Sequence, residues 1–335
     1  MSSSKYPWRN VAITGAAGFV GSTLVRELVQ NGINVIAFDI LPLDKWTRVN
    51  DLLKHNLLNC IQLDIKDDEK FIENIRGQDI LFHLAAATDM ARGAYDQYWD
   101  LNNGILPTIH VLVSLTKIGG IPLVYTSSSA VYGLLTSKKP AREIDGPLLP
   151  ISTYGAGKLA GEGLVSSFAA LHGFPATIIR PGTIIGRQMD HGVIPSFIAQ
   201  VKKNGNIKVL GDGAQARSFI IVEELVKAML YLAAYNNNGI EVYNISSKGI
   251  TSVSDIAKIV VSVSGIDSES ISFGTEKSGW KGDVPLVALD IGKLLSTGWN
   301  VSTSDDSVKK VVEELWAFSE VLRDDEPNKE ARSKS

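Results

Sequence analysis

The chain has 335 residues, 44% of them hydrophobic and 21% charged, with a formal net charge of −3. That composition suits one large or two modest folded domains, not a disordered or fibrous chain, and the mild acidity (pI near 6.0) provides no global attraction to nucleic acid or an anionic membrane. The one cysteine, Cys60, excludes an internal disulfide or thiolate metal cluster; with no apolar leader and no run of about 20 apolar residues, the expectation is a metal-free cytoplasmic protein in a reducing compartment.

The first half of the chain alternates two textures. An apolar run at 10–14 (NVAIT) leads into a glycine-rich turn, and STLVRELVQNG after it has helical spacing that stops at Gly32. Apolar runs recur at 33–39, 60–64, 79–86, 122–128 and 176–181, separated by helically spaced segments that include 95–118 and 154–171. Strands apolar throughout and separated by helices predict a parallel sheet covered on both faces, the doubly wound α/β architecture. Beyond about residue 185 the elements shorten and glycine turns multiply. This predicts a smaller α+β substrate domain, partly interleaved with the first because 241–246 (EVYNIS) reads as another strand of the sheet. The expected division is 8–185 with about 215–250 for the first domain, about 186–214 and 251–322 for the second, and a disordered charged tail over 323–335.

The turn after the first strand reads Gly15-Ala-Ala-Gly18-Phe19-Val20-Gly21. Glycines so spaced between strand and helix allow a tight turn, close approach of a pyrophosphate and close helix–strand packing, while the helix N-terminus favours the anion. A glycine triplet alone serves a surface turn equally well. Asp39, ending the second strand, decides for a dinucleotide: a carboxylate there meets the adenosine ribose hydroxyls and repels a 2′-phosphate. Ile40 and Leu41 bring no compensating cation, so the expected cofactor is NAD, not NADP.

The Gly-x-x-Gly-x-x-Gly spacing resembles the extended short-chain dehydrogenase/reductases, the Rossmann-fold branch of NAD-dependent nucleotide-sugar epimerases and dehydratases. The resemblance implies that Asp64 and Ile65 contact adenine and that Leu84, Ala85 and Ala86 run beside the cofactor. His83 reads as a packed strand-end histidine, because one histidine without partners makes no metal site.

Tyr154-Gly-Ala-Gly-Lys158 puts a phenol and an ammonium at i and i+4 on one helix face. A phenol is a poor base near neutrality; a neighbouring ammonium and a positive nicotinamide ring are expected to lower its pKa, and Lys158 also to hold the cofactor. Ser128 stands four residues before Tyr132 of Val-Tyr-Gly, where the resemblance implies the serine that hydrogen-bonds the reacting hydroxyl. The expected catalytic residues are therefore Ser128, Tyr154 and Lys158, with Ser127 and Ser129 left to capping or packing. Related 4,6-dehydratases carry an Asp-Glu pair just before Val-Tyr-Gly, and related decarboxylases a Glu in the same turn. Here those positions are Ser129 and Ala130, which have no carboxyl. The turn resembles the 4-epimerase form.

In the second half, Arg180-Pro-Gly-Thr183 resembles the crossing into a substrate domain, and GVIPSF, which contains Val193, a substrate lid. The segment GDGAQARSFIIVEEL matches one whose arginine grips a nucleoside diphosphate, which gives Arg217 that role. Thr183 and Val193 complete the expected substrate residues. Trp280 stands where the resemblance implies a second phosphate-binding arginine; an indole cannot pair a phosphate, which leaves Lys281 or Lys277 as candidates for that contact. By the same resemblance, Val287 stands where a large aromatic in related 4-epimerases excludes N-acetyl groups, so N-acetylated sugars are expected to fit. The expected activity is NAD-dependent 4-epimerisation of a nucleotide sugar, UDP-linked by resemblance. A dehydrogenase or reductase of the same superfamily is the alternative; the intact Ser128, Tyr154 and Lys158 argue against a non-enzymatic NAD-binding protein. The resemblance also implies a homodimer through helices around 95–118 and 154–171.

Overall fold

The computed structural model describes residues 5–324, apart from 88–91, 97, 138, 237–238 and 276–284. Its first half runs β1 (Asn10–Thr14), α1 (Phe19–Gln30), β2 (Asn34–Asp39), β3 (Leu58–Gln62), α2 (Asp68–Ile75), β4 (Ile80–His83), α3 (Leu106–Lys117), β5 (Leu123–Thr126), α4 (Thr153–His172) and β6 (Ala176–Pro181). There follow β7 (Thr183–Ile185), α5 (Val193–Asn204), β8 (Ile207–Val209), β9 (Ala216–Arg217), β10 (Phe219–Ile221), α6 (Val222–Tyr235) and β11 (Ile240–Ile245). The chain continues through β12 (Thr251–Ser252), α7 (Val253–Ser264), β13 (Ile271–Phe273), β14 (Leu286–Val287), α8 (Gly292–Ser296) and α9 (Ser304–Asp324).

Seven strands form one parallel sheet in the order β11-β6-β5-β4-β1-β2-β3. The strand order reverses between β1 and β4, so a crevice opens there at the carboxyl ends of the strands, where doubly wound sheets take their ligands. Every residue of β5 and β6 is buried, because helices cover both faces. Leu24 and Leu28 of α1 join Met229 and Leu232 of α6 on one side, and Val111 and Leu115 of α3 join Val165 and Ala169 of α4 on the other. A separate cluster gathers Ile194 and Phe197 of α5, Ile256 and Val260 of α7, and Val308 and Val311 of α9. The strand expected at 241–246 is β11, the edge of the main sheet beside β6.

Three expectations shift. The third strand occupies Leu58–Gln62, not 60–64, because a turn bonded from Leu58 N–H to His55 O starts it early and sets Leu58 against Val35. The helix expected over 95–118 is broken: a short turn at Arg92–Ala94 and a π-helical stretch at Leu101–Ile105 precede α3. Asn102, Asn103 and Gly104 are weak helix formers, and Pro107 belongs in a first turn, where its missing N–H costs nothing. Finally, α9 continues through Arg323 and Asp324, where a disordered tail was expected; residues 325–335 lie outside the described residues, as do Lys277, Trp280 and Lys281. No helix among the described residues is long and apolar enough to cross a membrane.

Candidate active site

The glycine turn leaves β1 as a cradle. Gly15 has φ of 71°, and a Cβ on it would lie 2.7 Å from Ala85 N, so this turn requires glycine. Helix α1 then starts at Phe19 with no side-chain cap and no acidic residue in its first turn, which leaves its N-terminal amides and its dipole to an anion. Asp39 is drawn to the same turn, accepting hydrogen bonds from Ala17 N–H at 3.0 Å and Leu41 N–H at 3.1 Å. Leu84, Ala85 and Ala86 are half-buried beyond β4, with Ala85 N–H bonded to Thr14 Oγ1. The expected adenine pair follows β3. Ile65 is buried in the core, which leaves its backbone rather than its side chain for contact, and the Asp64 carboxylate meets Lys66.

His83 is buried between Thr14 Oγ1 at 2.7 Å and Thr108 Oγ1 at 3.1 Å. Burial, and secondarily the Lys158 charge, pushes its pKa down to about 3, so the ring is neutral through the physiological range. This is the packed strand-end histidine that the sequence suggests. Among the described residues no group of three His, Cys, Asp or Glu could hold a metal ion.

The structure brings Ser128, Tyr154 and Lys158 together where β5 ends and α4 begins. Ser152 Oγ caps α4 by accepting from Gly155 N–H at 3.0 Å. Glycine at 155 lets the helix press against the serine turn, since a Cβ there would lie 2.7 Å from Ala130 O. In that setting the Ser128 hydroxyl is near enough to Tyr154 to favour its ionisation, and Ala130 N–H donates to Ser128 Oγ at 3.1 Å. One turn along, Lys158 Nζ donates to Thr126 O at 2.6 Å and lies 5.2 Å from the centre of the Tyr125 ring. Tyr154 and Lys158 line a cavity of about 10 Å³ with Ala86, Ala87, Asp100, Gly104, Tyr125 and Gly157. A larger hollow of about 510 Å³ between α1, α6 and the end of α9 holds none of these groups.

Burial raises the Tyr154 phenol, the Ser128 hydrogen bond opposes the rise, and the Asp100 charge adds to it. The protein's own groups therefore keep Tyr154 protonated. Lys158 gives its shortest contact to a backbone carbonyl, and it is the serine that eases the phenol's ionisation. Burial also lowers the Lys158 ammonium to about 8, against which the Glu162 carboxylate holds it up.

A buried ion network behind the site was missed from the sequence. Arg180 grips Glu162 with two bonds, Nε to Oε1 at 2.8 Å and Nη2 to Oε2 at 2.6 Å. Its Nη1 donates to Tyr132 Oη at 2.9 Å, which in turn donates to Asn244 Oδ1 at 2.8 Å. Ser127 Oγ donates to Glu162 Oε1 at 2.5 Å, so Ser127 is neither a cap nor mere packing. The available signal was Glu162 at i+4 from Lys158, a carboxylate on the same helix face.

On the substrate side the pairing of β9 with β14 puts Arg217 and Val287 in register. Both are half-buried, and Arg217 Nη1 donates to Ala216 O at 3.3 Å. Thr183 is half-buried in β7, with its N–H bonded to Ser218 O, and Val193 opens α5 against the third core cluster.

The family profile of the NAD dependent epimerase/dehydratase family matches residues 11–246. A protein of Methanocaldococcus jannaschii with the provisional name UDP-glucose 4-epimerase is 31% identical over 311 residues, 90% of this chain and 97% of its own length. MoeE5, solved with UDP-glucuronic acid and NAD, is 28% identical at a TM-score of 0.79, covering 93% of this chain and 99% of its own. The UDP-N-acetylglucosamine 4-epimerase of Methanobrevibacter ruminantium M1, solved with UDP-N-acetylmuramic acid, is 26% identical at a TM-score of 0.81 over the same shares. The chain belongs to the NAD-dependent epimerase/dehydratase family. It is an enzyme of that nucleotide-sugar superfamily, and its cofactor is NAD.

Proposed function

We propose that the protein is a nucleotide-sugar 4-epimerase acting on a UDP-linked hexose or its N-acetylated counterpart. The observation that carries this reading is the serine turn. Ser128 stands near Tyr154, Tyr154 and Lys158 line one cavity, and Ser129 and Ala130 offer no carboxyl for acid–base removal of water.

NAD, when bound, supplies the hydride acceptor and donor. Gly15, Gly18, Phe19, Val20 and Gly21 form the cradle for its pyrophosphate and Asp39 the acceptor for its adenosine ribose; Asp64, Ile65, Leu84, Ala85 and Ala86 border the rest of its path, and Lys158 holds the second ribose. Ser128 orients the C4 hydroxyl. Tyr154 Oη takes that proton as the carbon is oxidised and returns it when the ketone is reduced on its opposite face. Arg217 holds the diphosphate, a role suited to a planar, permanently charged fork, and Thr183 and Val193 border the sugar. Val287, small and in register with Arg217, supports room for an acetamido group, as does the likeness to a UDP-N-acetylglucosamine 4-epimerase.

The separate core cluster around α5, α7 and α9 supports the two-domain division, with 8–185 and 215–250 forming one unit and 186–214 and 251–322 the other. Exposed small residues on α4, namely Ala156, Ala160, Gly163 and Ser167, support a homodimer in which α3 and α4 of two copies pack closely. The lone cysteine, Cys60, supports the cytoplasm as its compartment.

The test is incubation of the purified protein with UDP-galactose and no added cofactor. UDP-glucose should form without accumulation of reduced cofactor. Net reduction of added NAD with no isomerised sugar would instead make it a dehydrogenase.

A further inference from the structure

We propose that Asp100 is a working member of this site, a buried carboxylate that faces Tyr154 across the small cavity and sets the pH at which the phenol can act as a base. The inference rests on the acid–base role given to Tyr154 above. Asp100 is only 7% exposed, and its Oδ2 has no hydrogen-bond partner among the described residues. A buried carboxylate oxygen left unpartnered is expensive, by several kcal/mol for a full charge, and structures that keep one usually use it. Its position is also tightly enclosed. A Cβ on Gly93 would collide with both Asp100 Oδ2 and Thr153 Oγ1, so the chain closes over the carboxylate and keeps it inside. Asp100 immediately precedes the π-helical stretch ahead of α3, a widened turn of the kind found at functional sites.

None of the groups around Asp100 and Tyr154 hydrogen-bonds the Asp100 Oδ2. From α4 come Tyr154 itself, Lys158, whose Nζ bonds Thr126 O, and Glu162, which pairs with Arg180. From β5 and the turn after it come Tyr125 and Ser128, and from β4 comes neutral His83. Beside the π-helical stretch, Arg92 pairs with Asp96 and stacks on Trp99 with its guanidinium 3.6 Å from the ring centre. Lys158 is directed to Thr126 O and not to the Asp100 Oδ2, and the Asp100 charge acts on the phenol, in agreement with its raising effect. The sign follows: a neighbouring negative charge disfavours the phenolate, so removing it makes Tyr154 a base at lower pH.

Tyr154 can be read without substrate by carbon-13 NMR of ζ-labelled tyrosine in the full chain, with Tyr154→Phe assigning the resonance. Asp100→Asn should lower the midpoint of that resonance by on the order of one pH unit, while Asp100→Glu, which keeps the charge, should stay near the parent. Asp100→Ser serves as a second neutral variant should the asparagine protein not fold. A midpoint unmoved in the neutral variants, or lowered equally in Asp100→Glu, would overturn the proposal. Because no sugar is present, failure here is separate from failure of the epimerase reading, which the UDP-galactose experiment decides.

Discussion

The corner between β5 and α4 and the corner between β9 and β14 are built in contrasting ways. At the first, a four-residue strand buried at every position meets a 20-residue helix, and behind them Glu162, Arg180, Tyr132, Asn244 and Ser127 bond one another in a continuous buried chain. At the second, two-residue strands hold Arg217 and Val287, both half-buried. The proposed chemistry therefore sits on a densely bonded support, while the proposed substrate groups sit on short strand pairings. Charge placed in the first corner must be matched by partners; at the second, Arg217 is half-buried.

The largest contrast should come from Tyr154→Phe. Turnover is expected to fall by about 10²–10⁴-fold, with the thermal midpoint close to the parent, since the hydroxyl lost bonds only at the site. Next comes Glu162→Gln, which strands the Arg180 guanidinium in the core. Stability in urea should drop by about 3–5 kcal/mol, and Lys158, losing the carboxylate that holds it up, should titrate below its value of about 8. Since Lys158 must keep its charge to assist, any turnover left would fail at lower alkaline pH than in the parent. The smallest effect belongs to the second corner. Val287→Tyr should leave UDP-galactose turnover nearly unchanged and reduce use of UDP-N-acetylglucosamine by about 10–200-fold; equal loss on both sugars would remove Val287 from the sugar pocket.

The two corners were also unequally legible in the sequence. β1 and β6 begin and end where their apolar runs do; Tyr154 and Lys158 could be named as a local i, i+4 pair, and Ser128 by its place in a turn that resembles the family's. The ion network was not readable, because Glu162 and Arg180 are 18 residues apart on a helix and a strand and only the packing of α4 on the sheet brings them together. Asp100 was hidden for a related reason. The helical spacing over 95–118 suggested a continuous helix, whereas Asn102, Asn103 and Gly104 widen the chain into a π-turn beside Tyr154. Around β9 and β14 the motif carrying Arg217 was recognisable by resemblance, but its register with Val287 is a long-range pairing that local pattern does not encode.

The most direct test of the central claim follows deuterium from C4 of UDP-galactose. If Ser128, Tyr154 and Lys158 oxidise and re-reduce one carbon within a closed site, the UDP-glucose formed keeps its deuterium at C4 and no reduced cofactor accumulates. Deuterium migrating to C6 with loss of water, or left in released NADH, would contradict the account.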